Sequence, residues 1–354
     1  MTSKSMKLVA SLLALLVCLT AGAATYGYHQ ATQPFKGYPG DEIFFTVRPG
    51  QASASIAGEL ESQGITRDRR LSVAVLWFRG ETNRLQAGEY RFAAPLSTLE
   101  VIDRLVEGDI HYLSVTVPEG LTCTETAELL SQNGLGDAEA LRAAFARGEL
   151  IASLDPEATD LEGYLFPETY QFPRNPAPED VARAMVARFT SVFDDRRRAK
   201  AASLDMDARR IVTLASIVEK ETGLGEERPL IASVFWNRLE RGMPLQSDPT
   251  IIYGLKQQDR FDGNLRREDL GLESPYNTYR FPGLPPGPIA SPGQAAIDAV
   301  LSPPETDYLY FVSKNDGSHH FSTTLRDHTN AVRRYQIDYF RQRRRERTGK
   351  TGSS

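Results

Sequence analysis

The period of the apolar positions changes along this chain, and the changes divide it. Residues 8–28 carry no charge and are mostly Leu, Ala and Val. At about 1.5 Å per residue that run is long enough for a bilayer core of roughly 30 Å. Residues 29–40, HQATQPFKGYPG, are broken up by Pro and Gly and predict a linker. Alternation at Ile43–Val47 predicts a strand. After Pro49-Gly50 the helical period takes over, giving helices at 53–63 and 68–79. Residues 85–92 read as a turn into a strand, and Ser97 caps a helix ending near Gly108. Residues 41–112 thus form a small β-α-α-β-α unit.

From residue 113 the pattern becomes that of a larger α+β domain extending to 341. A strand at 113–118 precedes helices at 124–132 and 138–147. In LEGYLFPETYQFP, 161–173, aromatics at 164, 166, 170 and 172 alternate with polar and small residues. They suit either an exposed wall on which sugar rings stack or a core-facing strand end. A long helix is expected over 179–202, with Val181, Met185, Val186, Phe189 and Val192 inward, and another over 226–241, stopped by Gly242. In MPLQSDPTIIYGL, 243–255, Asp248 reads as an N-cap with Pro249 at the first helical position. The Pro- and Gly-dense stretch 276–293 predicts a rigid irregular segment of the kind on which sites are built. A short helix at 294–301, a strand at 307–313 with a hairpin partner at 319–322, and a helix at 325–341 complete the domain. His319 and His320 would face opposite ways in that hairpin. The basic tail, 342–354, has no periodicity and is expected to be disordered.

Candidate chemistry concentrates at 208–225, ARRIVTLASIVEKETGLG. At about 100° per residue Ile211, Leu214, Ala215 and Val218 form an apolar stripe, Val212 widens it, and Lys220 points away. Glu219 and Glu221 flank the stripe. A carboxyl at the rim of a buried face is partly desolvated, which raises its pKa and lets it hold a proton as a general acid. The periodicity alone more readily fits a solvated last turn before Gly223.

Composition narrows the function classes. At 354 residues, with 41% hydrophobic and 25% charged residues, the chain has room for about two globular domains. A net charge of -5 gives no sign of a nucleic-acid binder. Cys18 and Cys123 make no disulfide framework or zinc cluster, and the five histidines have no ligand spacing, so no metal or cofactor is expected. Lys4 and Lys7 before the apolar run place residues 1–7 in the cytoplasm as a short stub, 8–28 across the membrane, and the bulk outside. Ala21-Gly22-Ala23 leaves a cleaved signal peptide as the alternative. Both readings export the protein.

Several long segments carry a resemblance. They are EGYLFPETY (162–170), ASIVEKET (215–222), ASVFWNRLERGMPLQSDPTIIYG (232–254), YNTYRFPGLPPGPIASPG (276–293) and YLYFVSKNDGSHHFSTTLRDH (308–328). In this order they resemble the YceG-like, or MltG, family of endolytic murein transglycosylases. The stretch TVRPGQASASIAGEL, 46–60, is similar to the opening of a LysM module, which binds N-acetylglucosamine polymers. The resemblance implies a single-pass protein of the bacterial inner membrane with its bulk in the periplasm. It implies a lyase that cleaves the β-1,4 bond between N-acetylmuramic acid and N-acetylglucosamine within nascent peptidoglycan, leaving a 1,6-anhydro end and terminating elongation. The catalytic carboxylate carried over is Glu219, with Glu221 the alternative. Glu168, Gln246, Asp248, Tyr253, Asn277 and Tyr279 are expected around the sugar. Peptidoglycan strands and a peptidoglycan synthase or other cell-wall machinery are the implied partners. A non-catalytic wall-binding protein and a hydrolytic muramidase remain the competing classes.

Overall fold

The computed structural model describes residues 3–343, in two compact units: Met1–Leu113 with Gln171–Arg174, and Ser114–Tyr170 with Asn175–Ser354. The first two residues of the expected cytoplasmic stub and the basic tail from 344 onward lie outside the described residues.

The first unit opens with α1 (Ser3–Thr32), of which Ser11–Thr32 is long and apolar enough to cross a membrane. The helix runs four residues into the stretch read as linker, because nothing before Pro34 breaks it and Ala31 is buried. There follow β1 (Ile43–Val47), α2 (Ser53–Ser62), α3 (Arg69–Phe78), β2 (Gly88–Phe92) and α4 (Thr98–Glu107). β1 and β2 pair antiparallel from Ile43 opposite Phe92 to Val47 opposite Gly88. Their inward residues Phe45, Val47, Tyr90 and Phe92 close over Ile56, Leu60, Val101 and Leu105. Asp68 caps α3 through the Arg70 and Leu71 amides, and a Ser97–Glu100 capping box with left-handed Gly108 bounds α4. α3 is unusual. Residues 73–78 are all apolar, yet only Ser72 and Leu76 of the helix are buried.

The second unit contains most of β3 (Leu113–Thr116), then α5 (Cys123–Gln132), α6 (Ala138–Phe145), part of β4 (Thr169–Phe172), α7 (Pro178–Val192), α8 (Asp195–Ser203) and α9 (Ala208–Glu221). It continues with α10 (Arg228–Glu240), α11 (Asp248–Gln257), α12 (Gln294–Leu301), the antiparallel hairpin of β5 (Tyr310–Ser313) and β6 (His319–Ser322), and α13 (Leu325–Val332). The Val117 amide donates to the Glu168 carbonyl at 2.9 Å beside the β3 and β4 ends. α9 is the hub, packed against α8, α10, α11 and α12. Every residue from Ile211 to Glu219 is buried, so α9 has no solvated side over that span, where the period predicted a stripe.

Three other expectations are corrected, and one open alternative is decided. The helix expected over 179–202 is two helices: Phe193 leaves helical geometry and Asp194 caps α8 by accepting the Arg197 amide at 2.9 Å. The aromatics Tyr164, Phe166, Tyr170 and Phe172 are all buried, and only Thr169–Phe172 is strand. Of the two readings of that segment the core-facing one holds: Tyr164 packs edge-on to Phe189 and donates to Asp155, and the Tyr170 hydroxyl donates to the Phe166 carbonyl. The last helix does not continue regularly to 341. After Val332 its turn widens over Arg333–Asp338, where the Tyr335 carbonyl accepts from the Asn315 amide and the Gln336 amide donates to the Ser313 carbonyl. Ser247, not Asp248, occupies the N-cap of α11, and Asp248 is the first helical residue.

Candidate active site

Asp207 caps α9 by accepting the Arg210 amide at 2.7 Å, and the helix ends where Thr222 turns extended. Burial all round sets Glu219 inside the second unit with its side chain 5% exposed. A lone carboxylate there would be strongly disfavoured. Two groups meet it: Arg228 Nη2, 2.5 Å from Oε1, and the Gly293 amide, 3.0 Å from Oε2. Arg228 begins α10, and its Nη2 also lies 3.1 Å from Glu119 Oε2. One cation thus serves two carboxylates. Burial, and after it the negative charge of Glu219, push the Glu119 carboxyl above its ordinary pKa against the opposing pull of Arg228.

Backbone contacts fix this cluster. The Gly120 amide donates to the Ser291 carbonyl and the Ser291 amide to the Leu121 carbonyl, each at 2.8 Å, so the Glu119 loop and the 286–293 segment are pinned together. Ser216 Oγ accepts the Ile289 amide at 3.0 Å, which ties that segment to α9. Lys220 reaches over to the Gly120 carbonyl at 3.0 Å. A Cβ at Gly293 would stand 1.8 Å from Glu119 Oε1, so a side chain there would push the Glu119 carboxylate out of its place. The quoted segments at 215–222 and 276–293 thus converge with Glu119 on one carboxylate.

Glu221 faces a different network. Ser247 Oγ donates to its Oε1 at 2.5 Å, and burial pushes its pKa up to about 7 despite that bond. The Ser247 amide donates to Thr278 Oγ1, and the Gln246 amide to the Thr278 carbonyl. Gln246 itself holds a φ of 51°, a strained value for a residue with a side chain. The Tyr279 hydroxyl donates to Asp248 Oδ1 at 2.7 Å. Gln246, Asp248 and Tyr279 are therefore brought together with Glu221.

The remaining expected residues separate. Tyr253 is buried, and its hydroxyl points at Glu162 Oε2 across 3.3 Å. Asn277 is fully buried, its amide donating to the Leu270 and Leu272 carbonyls and its Oδ1 accepting the Tyr279 amide, so its bonds hold the loop itself. Glu168 sits half-exposed in an ion pair with Arg188 at 2.8 Å. Glu162, Tyr253, Cys123 and Lys256 line a cavity of about 570 Å³ at the start of α5. Burial drives the Glu162 carboxyl up to about 8, although the Cys123 amide and Tyr253 hydroxyl favour its charged form. Among the described residues no cluster of His, Cys, Asp and Glu has metal-binding geometry.

Sequence reasoning passed over Glu119, Glu162, Arg228 and Gly293. Glu119-Gly120 reads as ordinary helix-entry chemistry, and Arg228 falls without distinction inside the helix expected over 226–241. Glu162 was in plain view within EGYLFPETY, but nothing in an extended-strand reading of that segment buries its carboxyl.

With this geometry described, likeness to known proteins carries weight. A sequence profile of the YceG-like family matches residues 45–334. The chain is 30% identical over 334 residues to an endolytic murein transglycosylase of Bacillus subtilis (strain 168), covering 90% of this chain and 91% of that one. It is 29% identical over 362 residues to a protein of the same name from Streptococcus pneumoniae (strain ATCC BAA-255 / R6), covering 92% of this chain and 64% of that longer one. A crystal structure of a yceG-like protein of Listeria monocytogenes superposes with a TM-score of 0.56 at 29% identity, over 82% of this chain and 98% of that one.

Proposed function

Because the chain belongs to the YceG-like family and matches endolytic murein transglycosylases over nine-tenths of its length, we propose that it is a murein transglycosylase, a lyase acting on peptidoglycan. The observation that carries the reading is the buried Glu219, seated between a cation, a backbone amide and a second carboxylate. In the reaction, the Glu219 carboxyl donates its proton to the oxygen of the β-1,4 bond between N-acetylmuramic acid and N-acetylglucosamine. The bond breaks through an oxocarbenium-like state. The C6 hydroxyl of the same muramyl residue then bonds to C1, and its proton returns to Glu219. A 1,6-anhydro ring closes and no water enters the product. Hydrolysing glycosidases need a second carboxylate as nucleophile or base, whereas a tethered hydroxyl supplies its own nucleophile at high effective molarity.

Glu119 suits the role of proton partner. Burial and the adjoining charge of Glu219 hold the Glu119 carboxyl above its ordinary pKa in spite of Arg228, which favours a proton at Glu119, beside Glu219. Arg228 Nε is buried without an acceptor, a donor that a bound polar ligand would satisfy. Asp248 and Tyr279, with Gln246, form the second polar group assigned to the sugar, and Glu221 beside them is the alternative acid. Tyr253 with Glu162 lines the neighbouring cavity. Glu168 and Asn277 complete the assignment, Asn277 through the loop it holds. α1 is assigned as an uncleaved anchor with the rest of the chain in the periplasm. The strand-turn-helix of β1 and α2 is assigned a LysM-like role in holding glycan, and a peptidoglycan synthase is the assigned neighbour.

The test is mass spectrometry of fragments released from uncrosslinked glycan by the wild-type chain and by Glu219→Gln. Internal fragments ending in 1,6-anhydromuramic acid, absent with the variant, support the assignment. Reducing ends would make the enzyme a hydrolase, cleavage retained by the variant would move the acid to Glu221, and no cleavage by the wild type would leave a binding protein.

A further inference from the structure

Six consecutive apolar residues, 73–78, end α3, and of these only Leu76 is buried. Trp77 is 69% exposed and Phe78 81%, packed edge to face on each other at 5.1 Å. One side of α3 packs on α2 and α4, with Leu76 buried and Val73, Ala74 and Val75 half-buried, and its last two apolar residues are left facing out. Its neighbour is α1. A groove of about 810 Å³ runs between them, lined by Ala23, Gly27 and Tyr28 of α1 and by Leu71, Val75 and Phe78 of α3, with almost no polar surface.

The depth of that groove along α1 is what identifies its occupant. On α1 the groove runs from Thr20 to Ala31, the C-terminal half of the segment Ser11–Thr32 that is long and apolar enough to cross a membrane. Tyr26 and Tyr28, both exposed, stand at the level where aromatic side chains mark the boundary between hydrocarbon and headgroups. At the other end of α3, Arg69 and Arg70 are exposed and available to lipid phosphates.

Resting on the reading of α1 as a membrane span, we propose that α3 lies in the outer headgroup layer of the bilayer, with Trp77 and Phe78 inserted among the acyl chains. The first unit is then held at two points. One is the spanning helix; the other is an interfacial helix that sets the unit's height and tilt on the lipid surface.

The two tryptophans of the chain, Trp77 and Trp236, make this measurable. The full-length protein and its Trp77→Phe variant are reconstituted into vesicles of phosphatidylethanolamine and phosphatidylglycerol, with and without phosphatidylcholine brominated on its acyl chains. In parallel, Cys18 is exposed to a membrane-impermeant maleimide and read by peptide mass. Trp77 touches little besides Phe78, so the variant keeps its fold. The expected result is a loss of emission with brominated lipid in the wild type that largely disappears in the variant, with Cys18 protected. Equal quenching in both proteins with Cys18 protected would overturn the proposal and leave the patch to a protein partner. Labelling of Cys18 would overturn the spanning helix and this proposal together.

Discussion

Gly293 shows how little tolerance the cluster has. Its amide serves Glu219 while the space of its missing side chain is filled by Glu119 Oε1. Gly293→Ala must therefore displace one carboxylate, and we expect glycan cleavage to fall by roughly two orders of magnitude, the scale of a lost acid–base group, with the circular dichroism spectrum unchanged. Glu119→Gln tests the proton partnership separately. It preserves the shape and removes a charge, so the pH–rate profile should lose the limb belonging to the Glu119 carboxyl; an unaltered profile would reduce Glu119 to a spacer. The carboxyls at 219 and 221 were both visible in the sequence as flanks of an apolar stripe. Their different surroundings were not, because Arg228, Gly293 and Ser247 lie on other segments and no local period points to them.

Among elements, α9 and the turn before β4, which packs on the start of α5, carry buried acids whose titration couples to folding. Glu162 and Glu221 bind their protons more tightly in the fold, with pKa values of about 8 and about 7, than in the unfolded chain at about 4.3. Their contribution is fully present below the unfolded value and is lost as pH rises through 7 and 8. Each group weakens the fold by up to about 1.4 kcal/mol per pH unit across its window. Melting temperatures between pH 5 and pH 8 should decline for the wild type and decline less for Glu162→Gln; an identical slope would mean Glu162 is ionised in the fold. The break between α7 and α8 has its own test. Asp194→Ala removes the cap of α8 and should cost about 1 kcal/mol in urea unfolding. That break escaped the sequence reading because Ala199 and Ala201 continue a helical composition, and an Asp in mid-helix reads as a surface residue. β1, β2 and α12, by contrast, stood where period and punctuation put them, since each is bounded by Pro, Gly or a capping residue.

At the scale of the molecule, α1 and the first unit are joined by apolar contact as well as by the chain. Deleting residues 1–32 would bare Leu71, Val75 and Phe78 together. The truncated chain should self-associate on size-exclusion chromatography without detergent and run as a monomer with it. The order of segments was legible because their long motifs occur in the sequence in the family's order. The membrane-facing character of α3 was not, because a run of six apolar residues in a short helix looks like core until its exposure is known. The same holds for the aromatics of 161–173, whose alternation fits a wall or a core equally well.

The acid at the centre of the second unit is assembled from distant parts of the chain. Glu119 and Arg228 are 109 residues apart, and Glu219 and Gly293 are 74 apart. Contacts of such separation close long loops, and a fold rich in them is slow to form. A partly folded chain has the carboxylate without its cation, its amide or its partner. The surroundings of Glu219 are therefore complete only in the finished fold, and a chain that has formed α9 but not the rest of the second unit lacks them.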